Sequence, residues 1–352
     1  MPSNTESLNL IRLEDMRFFV SLLKQIDKGA YDLLREATIP NDIAGQVSYD
    51  YLPESALKNV FELLGKHFTM AELGIIFWRG IREQYIPSVV SQLPESESVV
   101  EAVQNLSELL KVISPNSNVY PIEIGGSFWI AREKSEQHAL WFKYAELFSI
   151  LFMVEFVRSL TDMKWLPNQI SIVSEDVEIY HSLPTLNGIT FIQERSVTGI
   201  KLSDEVAKTK PVIKYRRKRA LLQAEAIKFK QMDFVSLLKL AITPYLSGGK
   251  LPIKLAAEIL RINVRTLQRR LEKEGVIYKE LVDDMTFEII EKELLSSDET
   301  ITFIASKYGY SDAAHFTRAF KRRYNITPGN FRNKTDSYIF DNLQFNFPTF
   351  SF

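Results

Sequence analysis

Cysteine is absent from the 352 residues. That excludes disulfides, thiol nucleophiles and Cys-based zinc sites together, and it suits a reducing compartment. Histidine is scarce. His67, His138, His181 and His315 stand far apart, without the i, i+4 pairing that holds a catalytic zinc. Long hydrophobic runs are missing too. The most apolar stretch, Leu147 to Val154, is too short to span a bilayer and is flanked by Glu146 and Glu155, so it reads as a buried helix. The opening Met1-Pro2-Ser3-Asn4-Thr5-Glu6 lacks the basic-then-apolar layout of a signal peptide. No phosphate-cradling glycine loop, Ser-His-Asp order or metal cluster is legible. The expectation is therefore a cytoplasmic, non-enzymatic protein with no catalytic residues, no metal and no cofactor.

Net charge is nearly absent as well, at -1 for the whole chain, but its distribution is uneven. Between Lys214 and Lys334 there are 24 lysines and arginines against 14 aspartates and glutamates, which leaves 19 against 30 elsewhere. A basic C-terminal region beside an acidic remainder is what a nucleic-acid-binding module joined to a control domain would show. Composition is otherwise that of a soluble globular protein, 45% hydrophobic and 25% charged, and the length favours two domains.

What is present is a repeat. Ala256-Ala257-Glu258-Ile259-Leu260-Arg261-Ile262-Asn263 followed by Val264-Arg265-Thr266-Leu267-Gln268-Arg269-Arg270-Leu271 reads as a short helix, a tight turn, a capping Asn and a basic amphipathic helix. The pattern recurs from Ile304 to Phe320. Ala305 aligns with Ala257, Phe316 with Leu267, Arg318 with Arg269 and Phe320 with Leu271, and Ser311 is the expected cap. Tyr278 to Leu295, with Leu281, Met285, Ile289 and Leu294, fits a helix joining the copies.

A helix that enters the major groove needs one face locked to its neighbour and another carrying donors. Leu267 and Leu271, and Phe316 and Phe320, supply the locked face at i, i+4. Arg265, Gln268 and Arg269 supply donors in the first copy, since Arg suits guanine and Gln adenine. In the second copy the corresponding candidates are Ala313, Ala314, Thr317 and Arg318, of which the alanines offer only methyl contacts. Arg270, Lys321, Arg322 and Arg323 are the candidates for phosphate contacts, which set affinity more than sequence choice.

These residues resemble the DNA-binding domain of AraC/XylS-type bacterial transcription regulators. The resemblance runs from about Leu251 to Arg332. It is carried by Leu267-Gln268-Arg269-Arg270-Leu271, by Gly309-Tyr310-Ser311-Asp312, by Phe316 with Arg318-Ala319-Phe320-Lys321, and by Thr327-Pro328. It implies two helix-turn-helix motifs on a connecting helix, with reading helices in successive major grooves about 34 Å apart. Three positions depart from the family: Arg261 stands where the first turn usually has Gly, Asn325 replaces another Gly, and Thr286 replaces an Arg. A non-Gly residue at 261 requires either a left-handed backbone or a different turn.

The N-terminal part mixes both kinds of element. Helical spacing covers residues 8 to 36, a helix from Pro53, and Ser98 to Ile113; Ala71 to Trp78 suits a short helix or a strand. Strands are expected at Val119–Ile124 and Ser127–Ala131 around Gly125-Gly126, and in short runs at 170–173, 189–192 and 199–202. A long helix is expected from about Ser135 to Leu160. The fold class is therefore an α+β N-terminal domain over 1–211 and an all-α C-terminal domain over 234–334. A basic linker, 212–233, joins them, and an aromatic tail, 335–352, follows. The run Lys214-Tyr215-Arg216-Arg217-Lys218-Arg219 either touches DNA phosphates or couples the domains, or else is a solvated linker.

Ile39-Pro40 before a helix, the segment at Gly74, the helix from Val99 to Leu110 and the passage from Leu160 to Pro167 resemble the arabinose-binding-type N-terminal domain of one branch of these regulators. That resemblance implies effector sensing and dimerisation. Trp129, Arg132, Trp141 and Tyr144 are the candidates to meet an effector, with Phe142 and Lys134 beside them, though core packing is the competing role for each aromatic. The expected function is a sequence-specific transcription regulator, more an activator than a repressor. Its expected partners are double-stranded DNA, a small-molecule effector, a second copy of the chain and RNA polymerase. Two alternatives stay open: an effector-independent dimerisation or docking role for the N-terminal domain, and, remotely, a hydrolase there. DNA-repair methyl transfer, found fused to related domains, needs a cysteine thiolate and is closed.

Overall fold

The computed structural model describes residues 8–26, 29–113, 118–175, 177–183, 185–193, 195–212, 232–249 and 251–333. They fall into two compact units that part between Ala241 and Ile242. The basic run at 214–219 and the aromatic tail lie outside the described residues.

In the first unit a short strand, β1 (Leu10–Arg12), pairs antiparallel with β2 (Tyr51–Pro53), with α1 (Leu13–Leu22) and α2 (Ala30–Glu36) between them. Pro53 ends the strand and caps α3 (Glu54–His67), where its missing N–H is no loss. Thr69 and Glu72 then form a reciprocal capping box that starts α4 (Met70–Gly80), so the segment at 71–78 is helical. A π-helical turn at Ile81–Tyr85 leads into α5 (Ile86–Val90), whose Pro87 cannot donate to the ladder, and α6 (Val99–Ile113) follows.

The five-stranded sheet begins with β3 (Asn118–Ile124) and β4 (Ser127–Glu133). Gly125 and Gly126, at φ +58° and +72°, make the two-residue turn between them, with Ile124 opposite Ser127. Positive φ at both turn positions matches the right-handed twist of the strands. After α7 (Phe142–Leu160) come β5 (Gln169–Ser171), α8 (Glu178–His181), β6 (Thr190–Ile192), β7 (Thr198–Lys201) and α9 (Asp204–Lys208). Strand order is β3-β4-β7-β5-β6, and only β5 and β6 run parallel.

α7 is the spine of this unit. Fourteen of its nineteen residues are buried, so it is apolar nearly all round rather than striped. The two glutamates that bracket its apolar run are buried too. Glu155 accepts a hydrogen bond from Trp78 Nε1 at 3.1 Å and lies 3.3 Å from Arg158. Glu146 accepts from Val173 N–H (2.8 Å), Thr198 Oγ1 (2.5 Å) and Ser174 N–H (3.1 Å), and also from the Ser174 hydroxyl. The helix starts at Phe142 rather than near Ser135. Residues 135–141 form turns, with Glu136 in a left-handed conformation at φ +63°.

The chain then passes through α10 (Phe234–Ile242), started by the Asp233 carboxylate accepting from Ser236 N–H at 2.7 Å. The described residues of the second unit are helical: a 3-10 turn at Thr243–Gly248, then α11 (Ile253–Ile259), α12 (Val264–Lys273), α13 (Tyr278–Ser296), α14 (Ile301–Lys307) and α15 (Ala313–Tyr324). No helix among the described residues is long and apolar enough to cross a membrane.

Candidate nucleic-acid interface

Two helix pairs, α11–α12 and α14–α15, are closed by the same backbone turn. In the first, Ile262 N–H donates to Ala257 C=O and Arg261 N–H to Glu258 C=O, each at 3.0 Å. In the second, Tyr310 N–H donates to Ala305 C=O at 2.9 Å and Gly309 N–H to Ser306 C=O at 3.0 Å. This nested closure needs one left-handed residue just past the helix. Gly309 takes it at φ +75° and Arg261 at φ +51°. The arginine therefore adopts the glycine conformation instead of altering the turn, at a local cost of about 1 kcal/mol.

The helices that follow are capped by different residues. Asn263 Oδ1 accepts from Arg265 N–H at 2.8 Å, and Asp312 Oδ1 accepts from His315 N–H at 2.6 Å. The expected cap, Ser311, instead donates its hydroxyl to Asp312 Oδ2 at 3.0 Å, because the second turn runs one residue further before the helix begins. A carboxylate there meets the positive end of the helix. The backbone bond from His315, then the one from Ser311, holds the Asp312 carboxyl below its ordinary range.

Each second helix is locked through its i, i+4 pair. Leu267 and Leu271 are buried in the first, Phe316 and Phe320 in the second. Around the latter pair an aromatic core assembles: Phe320 sits 4.5 Å from Tyr324, 5.4 Å from Phe331 and 6.3 Å from Phe287. α13 supplies Phe287, Ile290 and Leu294 to this core. It also carries Glu293, which accepts from the Tyr308 hydroxyl at 2.5 Å and pairs with Lys307 at 2.8 Å. Nineteen residues make α13 about 28 Å long.

The opposite faces are open. Arg265, Gln268 and Arg269 are exposed together on α12, and Arg270 is half-buried. On α15, Ala314 and Arg318 are exposed while Ala313 and Thr317 are half-buried. The Thr317 hydroxyl is spent on its own helix, donating to Ala313 C=O at 2.7 Å. Lys321 and Arg322 are exposed. Arg323 is exposed but committed: its Nη1 pairs with Asp284 Oδ1 at 2.5 Å, and its guanidinium lies 5.1 Å from the Phe287 ring. The hydrogen bond that Arg323 donates to Asp284 holds the Arg323 pKa up. Sequence spacing alone gave no sign of this engagement, because Asp284 lies 39 residues away.

The four effector candidates of the first unit do not converge. Trp129 and Arg132 alternate to opposite faces of β4, Trp129 half-buried and Arg132 buried. Trp141 is buried with Lys58 Nζ at 5.0 Å and Lys134 Nζ at 5.2 Å from its ring. Tyr144 packs on the helix backbone at Gly65, where a Cβ would come within 2.0 Å of its ring. Burial fits the competing packing role for Trp141 and Tyr144. Glu146, then Glu54 and Tyr180, act on Arg132 through space, and sequence reasoning passed over the last two because neither is near it in the chain.

Residues 256–334, from within α11 to beyond α15, match a family described as a helix-turn-helix domain. Three curated relatives align over a part of the chain of similar length. The HTH-type transcriptional regulator VqsM of Pseudomonas aeruginosa is 39% identical over 77 residues, 22% of this chain and 24% of that protein. The HTH-type transcriptional activator FapR of Escherichia coli is 33% identical over 75 residues, 21% and 29% of the two chains. The urease operon transcriptional activator of Escherichia coli is 34% identical over 76 residues, 22% and 26%. The chain thus spans about a quarter of the length of the curated relatives it matches. A solved structure, that of the transcriptional regulator CdpR from Pseudomonas aeruginosa, covers 91% of this chain and 98% of its own at a TM-score of 0.34 and 14% identity, too distant a likeness to argue from. The C-terminal segment is a helix-turn-helix domain of the AraC/XylS type.

Proposed function

We propose that this chain is a sequence-specific DNA-binding regulator of transcription, acting in the bacterial cytoplasm, in which both helix pairs are helix-turn-helix motifs. α12 and α15 dock in successive major grooves on one face of the duplex, and the N-terminal unit controls that docking by sensing a small molecule or pairing with a second copy. The observation that carries the reading is the duplicated turn. Two segments about fifty residues apart close with the same hydrogen bonds, bury the same i, i+4 pair and leave an arginine on the outward face. A rigid α13 of about 28 Å between them is commensurate with the roughly 34 Å between successive grooves.

Within this reading Arg265, Gln268 and Arg269 touch bases, joined by Ala313, Ala314, Thr317 and Arg318 of the second motif. Arg270, Lys321 and Arg322 approach phosphates. Arg323 serves them through its pairing with Asp284, by fixing α15 on α13. The N-terminal unit has no catalytic part in this scheme; activation of transcription follows the relatives' printed role as activators, and contact with RNA polymerase is part of the proposal.

The test is a footprint and a double substitution. The chain should protect two neighbouring major grooves on one face of a selected operator, with affinity falling steeply as salt rises. Arg269→Ala with Arg318→Ala should abolish specific retardation while leaving the melting temperature in place. Specific binding that survives both substitutions overturns the reading.

A further inference from the structure

The N-terminal unit holds a cavity of about 70 Å³ whose walls are mostly apolar, with five rings among them. Phe19, Phe61, Tyr85, Phe148 and Phe152 line it, with Phe148 at the centre, 5.0 Å from Phe19, 6.0 Å from Phe61 and 5.8 Å from Tyr85. Two cations enter this wall from the core face of the sheet, Arg132 and Lys134, each over nine-tenths buried. Alternation along the strand puts them on the side of Ile130, so an apolar face carries two positive charges.

Their situations differ. Lys134 Nζ is closed by Glu54 Oε1 at 2.9 Å, both groups buried. Arg132 has no such partner: its Nη1 is sealed from solvent and finds no acceptor among the described residues. The Phe142 ring lies 5.9 Å from its guanidinium. The carboxylate of Glu146 attracts it through space, but the donors from Val173, Ser174 and Thr198 already occupy both Glu146 oxygens. Burial pulls the Arg132 pKa down to about 10, with Glu146 and then Glu54 opposing, so the group stays charged at neutral pH. A buried charged donor without an acceptor is a costly thing to leave in a core.

We propose that this cavity binds a small monocarboxylate with a short apolar tail: the carboxylate accepts from the Arg132 guanidinium, and the hydrocarbon lies among Phe61, Phe148 and Phe152. The proposal rests on the sensing role given above to the N-terminal unit and supplies the chemical class of its ligand. A sugar would need several donors and acceptors, and a phosphate dianion more than one free donor. This wall offers a single free cationic donor facing rings. About 10–15 Å³ is the least space that holds one water, so a cavity of this size takes a chain of only a few carbons, on the order of butyrate or valerate.

The experiment uses the full chain at neutral pH and fixed ionic strength. Straight-chain carboxylates from acetate to octanoate, and butyramide as a neutral isostere, are titrated by calorimetry and by thermal shift. Saturable binding should peak at four to five carbons, raise the melting temperature, and be absent for butyramide. Arg132→Met should bind roughly tenfold to a hundredfold more weakly, while melting no lower than the unliganded parent because an unpaired buried charge has gone. Leu57→Trp, which fills the cavity from another wall, should also weaken binding; it keeps the question answerable if Arg132→Met does not fold. No saturable binding of any carboxylate overturns the proposal, as does equal binding of the amide or undiminished binding by both variants. The titration contains no DNA, so its failure leaves the DNA-binding reading standing. A chain that binds carboxylate but no operator would sink only that reading.

Discussion

The two helix pairs of the C-terminal unit share a frame and differ in what the frame carries. Turn geometry, hydrogen bonds and the buried i, i+4 pair repeat from one to the other. The inward residues change from leucines to phenylalanines, and the outward ones from Arg265, Gln268 and Arg269 to Ala314, Thr317 and Arg318. The first pair therefore has three long polar side chains free to reach out. The second has one, plus two methyl groups and a hydroxyl turned back on its own helix. What the second pair has in surplus is structure: an aromatic core and a charged cap. A duplicated scaffold can thus divide the labour, with discrimination on one copy and anchoring on the other.

The largest effect expected from this contrast is on stability. Phe320→Ala removes the ring at the centre of the second core and should cost about 3–5 kcal/mol. Leu271→Ala, its counterpart in the first pair, should cost less, about 2–4 kcal/mol. Denaturant titration of the two variants decides the order; a larger loss at Leu271 would break the assignment of anchoring to the second pair.

A smaller effect belongs to the turns. Gly309→Ala places a Cβ on a left-handed backbone and should destabilise by about 1 kcal/mol. Arg261→Gly relieves the same conformation and should stabilise by up to ~1 kcal/mol, less whatever contacts the arginine side chain makes. Opposite signs in a melting experiment would sharpen the equivalence of the two turns, and matching signs would refute it.

The smallest effect concerns pH. The folded-state pKa of Asp312 is depressed, chiefly by the backbone bond from His315. Its contribution is therefore complete above the unfolded carboxylate pKa and is lost as pH falls through the lower folded value. The cap of the first pair, Asn263, does not titrate. On acidification, amide protection relative to the free-chain rate should fall at His315 before it falls at Arg265, and Asp312→Asn should remove the difference.

Much of this contrast was legible before any coordinates. The repeat declares itself through local rules, a cap and an apolar pair at i, i+4, and these act within one or two helical turns. The hairpin at Gly125-Gly126 is legible for the same reason. Features set by distant partners were not. β1 is three residues long and exists because Tyr51–Pro53 lies beside it, so residues 8–36 looked helical throughout. The start of α7 at Phe142 depends on the turn at Glu136, whose side chain is held by Lys58 at 2.7 Å. Arg323 looked like a free cation because Asp284 is remote in sequence. The buried charges were the hardest to foresee. Glu146 seemed to mark the polar end of an apolar run, yet it lies fully inside with its oxygens saturated. Arg132 was singled out for its charge beside aromatics, but its missing acceptor could be seen only in three dimensions.

The claim that both helix pairs read DNA, unequally, is tested most directly by scanning a selected operator base by base. Substitutions under α12 should each weaken binding by about 1–3 kcal/mol, and those under α15 by less, with the footprint still spanning both grooves. Equal or stronger preferences under α15 would contradict the division of labour, and a footprint confined to one groove would contradict the pairing itself.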